Sequence, residues 1–291
     1  MPELPEIETI KEGLLGKVLN KLVLRVEINN VNVIRNRKNS FKKALERRRF
    51  VNIERRGKML IFEIEKGKKE TKRYFLLARM GMTGRLVYFS EEDALWGENS
   101  FKNKKSFSHK HCHIIFKFKE DAVMLFCDIR RFGYMEVVGE KELEDRLAHF
   151  GSEPLSDSFT LSVFRNTIKN KKTTVKAFLL NQRYVAGIGN IYADEILFEA
   201  GVRPCRVASS LSAEEVKVVY KSIKKILRKA VVNRGTTFSD YVDSDGKEGG
   251  FKKYLKVYGR GGEKCLNCKA GNIKKIRVAG RGTCFCEYCQ K

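Results

Sequence analysis

The chain has 291 residues, 42% of them hydrophobic, enough for one large domain or two modest ones with a real core. Against 35 Asp and Glu stand 59 Lys and Arg, a net charge of +24 that favours a polyanionic partner. No apolar run approaches a membrane span and no signal segment precedes Met1-Pro2-Glu3, so the protein is expected to be cytoplasmic, not membrane-bound, with reduced thiols.

Ile7, Ile10, Leu14, Leu15 and Val18 recur at helical spacing and predict an amphipathic helix over residues 3–19, with Glu3 and Glu6 at its positive N-terminal end. Eight short segments with strand patterning follow: Leu22–Ile28, Phe50–Arg55, Met59–Glu65, Tyr74–Ala78, Arg85–Phe89, His113–Lys119, Ala122–Cys127 and Tyr134–Val138. This half reads as a β-sandwich with one helix in front. Ser90–Lys110, polar and without pattern, reads as a mobile surface loop. The periodicity changes near residue 140. Lys141–Phe150, Ser162–Asn170, Val175–Leu180, Asn190–Ala200 and Ser212–Val232 read as helices, with Ser212 and Glu215 forming a capping box. A polar, Gly-rich stretch from Gly235 to Gly250 follows, and a Cys-bounded hairpin closes the chain. The fold class is α+β. Three parts are expected: a helix plus β-sandwich over 1–140, a helical part with a lid over 141–250, and a zinc hairpin over 251–291.

Cys265-Leu-Asn-Cys268 and Cys286-Glu-Tyr-Cys289 are two CxxC knuckles 17 residues apart. Four thiolates in this spacing suit one structural Zn²⁺. The hairpin between them carries Lys274, Lys275, Arg277 and Arg281, so one metal would both staple the module and shape a cationic tip. Cys112, Cys127, Cys205 and Cys284 show no pairing pattern.

The N-terminus is the second chemical signal. Removal of Met1 would leave Pro2 with a free secondary amine. A terminal amine titrates at ~7.7–8.0 against ~10.4 for lysine, so more of it is neutral at pH 7. Such an amine can attack the anomeric carbon of a deoxyribose and form an iminium, with Glu3 and Glu6 close enough to move protons. Taken alone, Pro2-Glu3 reads first as a plain helix start.

The opening Met1-Pro2-Glu3-Leu4-Pro5-Glu6-Ile7-Glu8 resembles the signature of the bacterial formamidopyrimidine-DNA glycosylases. The resemblance returns at Arg56-Gly57-Lys58, at Gly81-Met82-Thr83-Gly84 and at Asp128-Ile129-Arg130-Arg131-Phe132-Gly133. It continues through Gly151-Ser152-Glu153-Pro154-Leu155 and Val185 through Glu195, and ends with Val257 through Glu263 and the zinc cysteines. These collinear matches favour the chemical reading of Pro2.

The resemblance implies a β-sandwich with a leading helix, a helix–two-turn–helix domain and a zinc-bound β-hairpin. It implies a monomeric base-excision-repair enzyme, nucleoid-associated through DNA, that flips oxidised purines such as 8-oxoguanine and formamidopyrimidines out of double-stranded DNA. Excision would be followed by β- and δ-elimination at the abasic site. It further implies Pro2 as Schiff-base nucleophile, Glu3 as general acid, Lys58 in phosphate contact and β-elimination, and Arg281 in phosphate binding and δ-elimination. Met82, Arg130 and Phe132 match the side chains that fill the void left by the extruded nucleotide. Glu6, His111, Lys171, Lys176, Asn190 and Tyr258 complete the expected DNA-binding set. Asn190 follows two glycines at a helix start, where backbone N–H groups receive phosphate on general grounds.

His109, His111, Cys112 and His113 are too close along one strand to converge on a second metal. The family usually has an acidic residue where this chain has Cys112. Its zinc loop is about one residue longer than the family's, and Ser90–Lys110 reads as an insertion. Two rival readings share these features: the endonuclease VIII branch, which favours oxidised pyrimidines, and a catalytically dead zinc protein that binds damaged DNA. Leu4 and the complete set Met82, Arg130 and Phe132 favour the purine branch, and intact Pro2, Glu3 and Lys58 disfavour the dead protein.

Overall fold

The computed structural model describes residues 2–67, 71–90, 111–119, 121–238 and 241–291. The expected loop Ser90–Lys110 lies, but for Ser90, outside the described residues. Among the described residues no helix is long and apolar enough to cross a membrane.

Two compact units emerge. The first comprises Met1–Pro2, Glu6–Ala148 and Arg234–Gly250; the second comprises Glu3–Pro5, His149–Asn233 and Phe251–Lys291. In the first unit, α1 (Leu4–Val18, of which Glu6 onward belongs here) precedes β1 (Leu22–Ile28), α2 (Lys38–Leu45) and β2 (Arg48–Arg56). Then come β3 (Met59–Ile64), β4 (Tyr74–Arg79), β5 (Gly84–Phe89), β6 (Cys112–Phe118), β7 (Val123–Asp128), β8 (Tyr134–Gly139) and α3 (Glu140–Leu147).

The strands hydrogen-bond in the order β5-β7-β6-β1-β2-β3-β4-β8. The β1–β2 pairing spans only Leu22↔Arg49 and Val23↔Arg48, so two four-stranded antiparallel sheets meet at one corner. Both feed one core. Val26, Ile114, Phe116 and Phe126 from one sheet join Phe50, Leu60, Phe62 and Leu76 from the other, and α1 adds Ile7, Ile10, Leu14 and Val18. This is the expected sandwich, with the predicted strands in place to within two residues. The helix α2 is the unexpected element. Its eight residues carry only Phe41 and Leu45 as buried apolar groups, and its N-cap Arg37 offers no side-chain bond, so pattern alone gives no warning of it.

A second difference concerns Cys112 and Cys127, which form a disulfide although all thiols outside the knuckles were expected to be reduced. The reason is register: β6 and β7 are antiparallel and set Cys112 directly opposite Cys127, bringing the two Cβ atoms to the same face.

The second unit contains α4 (Leu161–Ile168), α5 (Val175–Leu180), α6 (Asn190–Glu199), α7 (Ala213–Val232), and the hairpin β9 (Lys274–Val278) with β10 (Arg281–Phe285). Ser212 and Glu215 form the predicted reciprocal cap of α7. Phe164, Phe178, Ile188, Tyr192, Ile196 and Ile223 centre its core. Residues Ile191 to Phe198 of α6 are all buried, with Asp194 and Glu195 among them, so both carboxyl groups need partners inside the unit. Gly235–Gly250, grouped beforehand with the helices, clusters with the first unit, and Phe251–Lys291 clusters with the second.

Candidate active site

In the second unit, α6 begins at Gly189, which has no side chain to cap it. Glu3 supplies the cap. Its carboxylate is 1% exposed and accepts from the backbone N–H groups of Gly189 at 2.8 Å, Ile191 at 2.9 Å and Tyr192 at 3.3 Å. A carboxylate suits the positive end of the helix and satisfies donors the helix leaves open. Leu4 N–H donates to the Gly187 carbonyl at 3.0 Å. Gly187 has φ +87°, and a Cβ there would lie 2.6 Å from the Leu4 side chain, so only glycine admits this approach. The Gly187–Gly189 turn therefore fixes the residue that follows Pro2, and Pro2 itself is buried.

Asn190 donates through Nδ2 to the Gly282 carbonyl at 2.9 Å, and the Tyr258 hydroxyl hydrogen-bonds Asn190. Burial pushes the Tyr258 phenol up from its ordinary value, against that bond. Glu195 receives the N–H groups of Lys256, Val257 and Tyr258, which anchors the turn bearing Tyr258.

Lys176, expected among the DNA contacts, is 0% exposed. Its ammonium lies 2.6 Å from Asp194 and donates to Thr283 Oγ1 at 2.7 Å and the Gly282 carbonyl at 3.2 Å. Asp194 also accepts from Cys284 N–H at 2.9 Å. Burial raises the Asp194 carboxyl to about 6 in spite of the neighbouring ammonium, and lowers the Lys176 ammonium. Lys171 sits over the Tyr184 ring at 4.4 Å.

The hairpin turns at Ala279 and Gly280, both with positive φ, the two-residue turn that matches strand twist. Arg281, Lys274, Lys275 and Arg277 are exposed along it, with Lys274 ion-paired to Glu287. Cys265, Cys268, Cys286 and Cys289 place their sulfurs within 4.8 Å of one another. Backbone N–H groups of Gly271 and Ala270 point at Cys268 and lower its thiol pKa. Asn267 Nδ2 donates to Cys289 Sγ at 3.5 Å. Burial pushes the Cys286 thiol up to about 12 and raises Cys289, and it is the closeness of the four sulfurs that fits them to one metal ion. Gln290 fastens the module by accepting from Cys286 N–H and donating to the Val202 carbonyl, each at 2.9 Å.

In the first unit, Glu6 is 1% exposed and accepts from Thr236 N–H at 2.7 Å. Burial, and next the Glu6 charge, push the Tyr241 phenol far above its ordinary range. Lys58 follows Gly57 in the two-residue turn closed by Arg56↔Met59. Arg55 braces that turn, donating to the Gly57 carbonyl at 3.0 Å and pairing with Glu8 at 2.5 Å.

The two turns that carry Met82 and Arg130–Phe132 come together, with Arg130 N–H donating to Thr83 Oγ1 at 3.0 Å. Gly81 has φ +61°, and a Cβ on it would lie 2.6 Å from the backbone between Phe132 and Gly133. Asp128, 0% exposed, locks the two turns: it accepts from the Thr83 hydroxyl, from Arg130 N–H at 3.2 Å and from Gly133 N–H at 2.7 Å. Arg130 and Phe132 project outward, the ring 56% exposed and the guanidinium 4.8 Å from its centroid. His111 is half-buried beside the buried His113, whose Nε2 lies 2.7 Å from the Asp128 carbonyl. Asp128, Asp194, Glu195 and Glu8 stand in the quoted motifs, but sequence reasoning gave them no role. An acidic residue at a strand end in a chain this basic was the available signal for the first.

With this geometry in view, the family can be read. The formamidopyrimidine-DNA glycosylase N-terminal domain profile matches residues 1–135 and the family's H2TH domain profile matches residues 150–241. The chain belongs to the formamidopyrimidine-DNA glycosylase family. It is 39% identical over 293 residues to the formamidopyrimidine-DNA glycosylase of Desulfitobacterium hafniense, and 39% identical over 292 residues to that of Carboxydothermus hydrogenoformans, with both chains fully covered in each case. It also resembles a mutant of the Lactococcus lactis enzyme solved with Fapy-dG-containing DNA, at TM-score 0.87, 31% identity and full coverage of both chains. The same enzyme with DNA containing an abasic site matches at TM-score 0.86 and 30% identity over 99% of each chain.

Proposed function

We propose that this glycosylase excises oxidised purines, 8-oxoguanine and formamidopyrimidines, from double-stranded DNA and then nicks the abasic strand by β,δ-elimination. The nucleophile is the amine of Pro2 after removal of Met1. The nitrogen attacks C1′ of the flipped nucleotide, the glycosidic electrons leave with the base, and the nitrogen sheds its proton. Ring opening then gives an iminium. Glu3 moves the protons this sequence requires. The observation that carries the reading is the immobilised Glu3, held by three backbone N–H groups at the residue after the proposed nucleophile.

Lys58, on its braced turn, contacts phosphate and takes part in β-elimination; Arg281, on the hairpin, serves the δ step. Met82, Arg130 and Phe132 offset the cost of unstacking, about a few kcal/mol. His111, Lys171, Asn190 and Tyr258 bind the DNA backbone. Glu6 and Lys176, both buried, act by positioning Thr236 and the hairpin. The metal is one Zn²⁺, whose chemistry is structural: it holds the four thiolates and so shapes the cationic hairpin.

Borohydride trapping of the covalent enzyme–DNA adduct tests the reading. Wild type should trap, Pro2→Gly should retain some trapping through its primary amine, and a form that keeps Met1 should not trap. Trapping at the normal rate with Met1 in place would refute it.

A further inference from the structure

The cysteine pair of β6 and β7 has no part in the chemistry above, yet it lies beside the turns that carry Met82, Arg130 and Phe132. Cys127 immediately precedes Asp128, the residue that locks the Met82 and Arg130–Phe132 turns. Cys112 lies between His111 and His113, and His113 contacts the Asp128 carbonyl. On its other side the pair packs with Val87, Phe89, Leu125 and Val242. Val242 belongs to the Gly235–Gly250 segment, which is held nearby where Tyr88 N–H donates to the Ser244 carbonyl at 2.9 Å. The bond thus joins the base of the void-filling turns to the segment that borders Glu6.

Both cysteines are buried, at 3% and 6% exposure, but a cavity of about 350 Å³ opens on Cys112. Its walls include His111, His113 and Arg131. The Arg131 guanidinium in that wall favours thiolate over thiol, and the volume admits a peroxide or a small thiol. β6 is also irregular here, its register shifting between Cys112 and Ile114. The disulfide thus crosses the β6–β7 ladder at its irregular end, one residue before Asp128.

We propose that Cys112 and Cys127 form a reversible redox modification site that governs lesion excision, the disulfide being the competent state. The proposal rests on the reading that the enzyme excises oxidised purines. In oxidation a Cys112 or Cys127 thiolate attacks one oxygen of hydrogen peroxide, the O–O bond breaks, and the expelled hydroxide takes the proton the thiol gave up and leaves as water. The resulting sulfenic acid condenses with the second thiol and releases another water, so two thiols and one peroxide give one disulfide and two waters. In reduction a dithiol exchanges twice and leaves as its own disulfide. Peroxide, which oxidises guanine, would thereby set the repair enzyme in its ordered state. Breaking the bond loosens Asp128 and, with it, the placement of Arg130 and Phe132.

Single-turnover excision of 8-oxoguanine from a duplex tests this, with peroxide-treated and dithiothreitol-treated full-length protein, zinc content measured in both. Peptide mapping without reductant should show Cys112 linked to Cys127 in the first sample alone. Reduction should slow excision about tenfold, the scale of a sub-ångström misplacement of reacting groups. Cleavage of a preformed abasic site should change much less. Cys112→Ser with Cys127→Ser should work at the reduced rate and ignore dithiothreitol; Cys127→Ser alone serves if the double variant fails to fold. Equal excision by oxidised and reduced wild type would overturn the proposal, as would failure to find the linked peptide or an equal response of the variant to dithiothreitol. Absence of excision in both states would instead refute the underlying glycosylase reading.

Discussion

Replacing Lys176 by Met distinguishes two physical roles for this lysine. Met keeps the stem volume and removes the ammonium. The wild-type ammonium satisfies Asp194 at 2.6 Å, Thr283 at 2.7 Å and the Gly282 carbonyl at 3.2 Å, in a place without solvent. Without it Asp194 keeps one donor, Cys284 N–H. Removing one partner of a buried pair typically costs about 3–5 kcal/mol. The cost has a pH signature. Burial already raises Asp194 to about 6 with the ammonium present, and losing that cation raises it further. A carboxyl raised on folding contributes stability that is complete below its unfolded value and lost as pH rises through its folded value. The deficit of Lys176→Met should therefore widen above about pH 6 and shrink in acid. Adding Asp194→Asn, which keeps an acceptor for Cys284 N–H, should recover part of the loss. Urea denaturation measures both effects. DNA binding against salt measures the alternative: if Lys176 reached a phosphate, its loss would lower the slope of log K against log salt by about one. A stability unchanged within about 0.5 kcal/mol together with that lower slope would refute the buried-pair reasoning.

Three further outcomes follow from the geometry. Asp128→Asn puts an amide donor where Thr83, Arg130 N–H and Gly133 N–H already donate, so it should cost about 2–4 kcal/mol and slow lesion excision more than abasic-site cleavage, both measurable on one preparation. Burial raises the Glu8 carboxyl, but hydrogen bonds from Lys11 and Arg55 outweigh it and the net shift is downward; its stabilisation is present above about 4.5 and lost as pH falls through the folded value, so Glu8→Gln should flatten the acid limb of a stability–pH curve. Chelating the metal, or Cys286→Ala with Cys289→Ala, should unfold the hairpin and weaken DNA binding, and full affinity after zinc loss would contradict this.

The sandwich strands were legible because burial writes itself into the sequence, as alternation where one face is buried (β1, β2) and as a β-rich apolar run where both are (β3, β5). The same logic failed for α2, which buries two residues, and for the Cys112–Cys127 pair. The pairing depends on the β6–β7 register, and the separation of 15 residues alone does not specify it. The zinc knuckles were legible for the opposite reason: all four ligands lie in two local motifs, so spacing alone brings each pair together.

The candidate site divides along the same line. Glu3 and Lys58 could be singled out by chemistry and motif, but what immobilises Glu3 is backbone from residues 189–192, a contact of long sequence separation with no side-chain signature. Lys176 shows the converse hazard. In a chain with 59 Lys and Arg every lysine is a candidate phosphate ligand, and only its partner separates a contact from a strut. That partner, Asp194, stands 18 residues away on another helix, and the two others, Gly282 and Thr283, more than 100 residues on. Position within α5 already held a hint: Val175, Phe178 and Leu179 are buried, so Lys176 lies on a helix with little solvent-facing surface. A charge on such a helix must be paired, and the pairing rather than the charge defines its work.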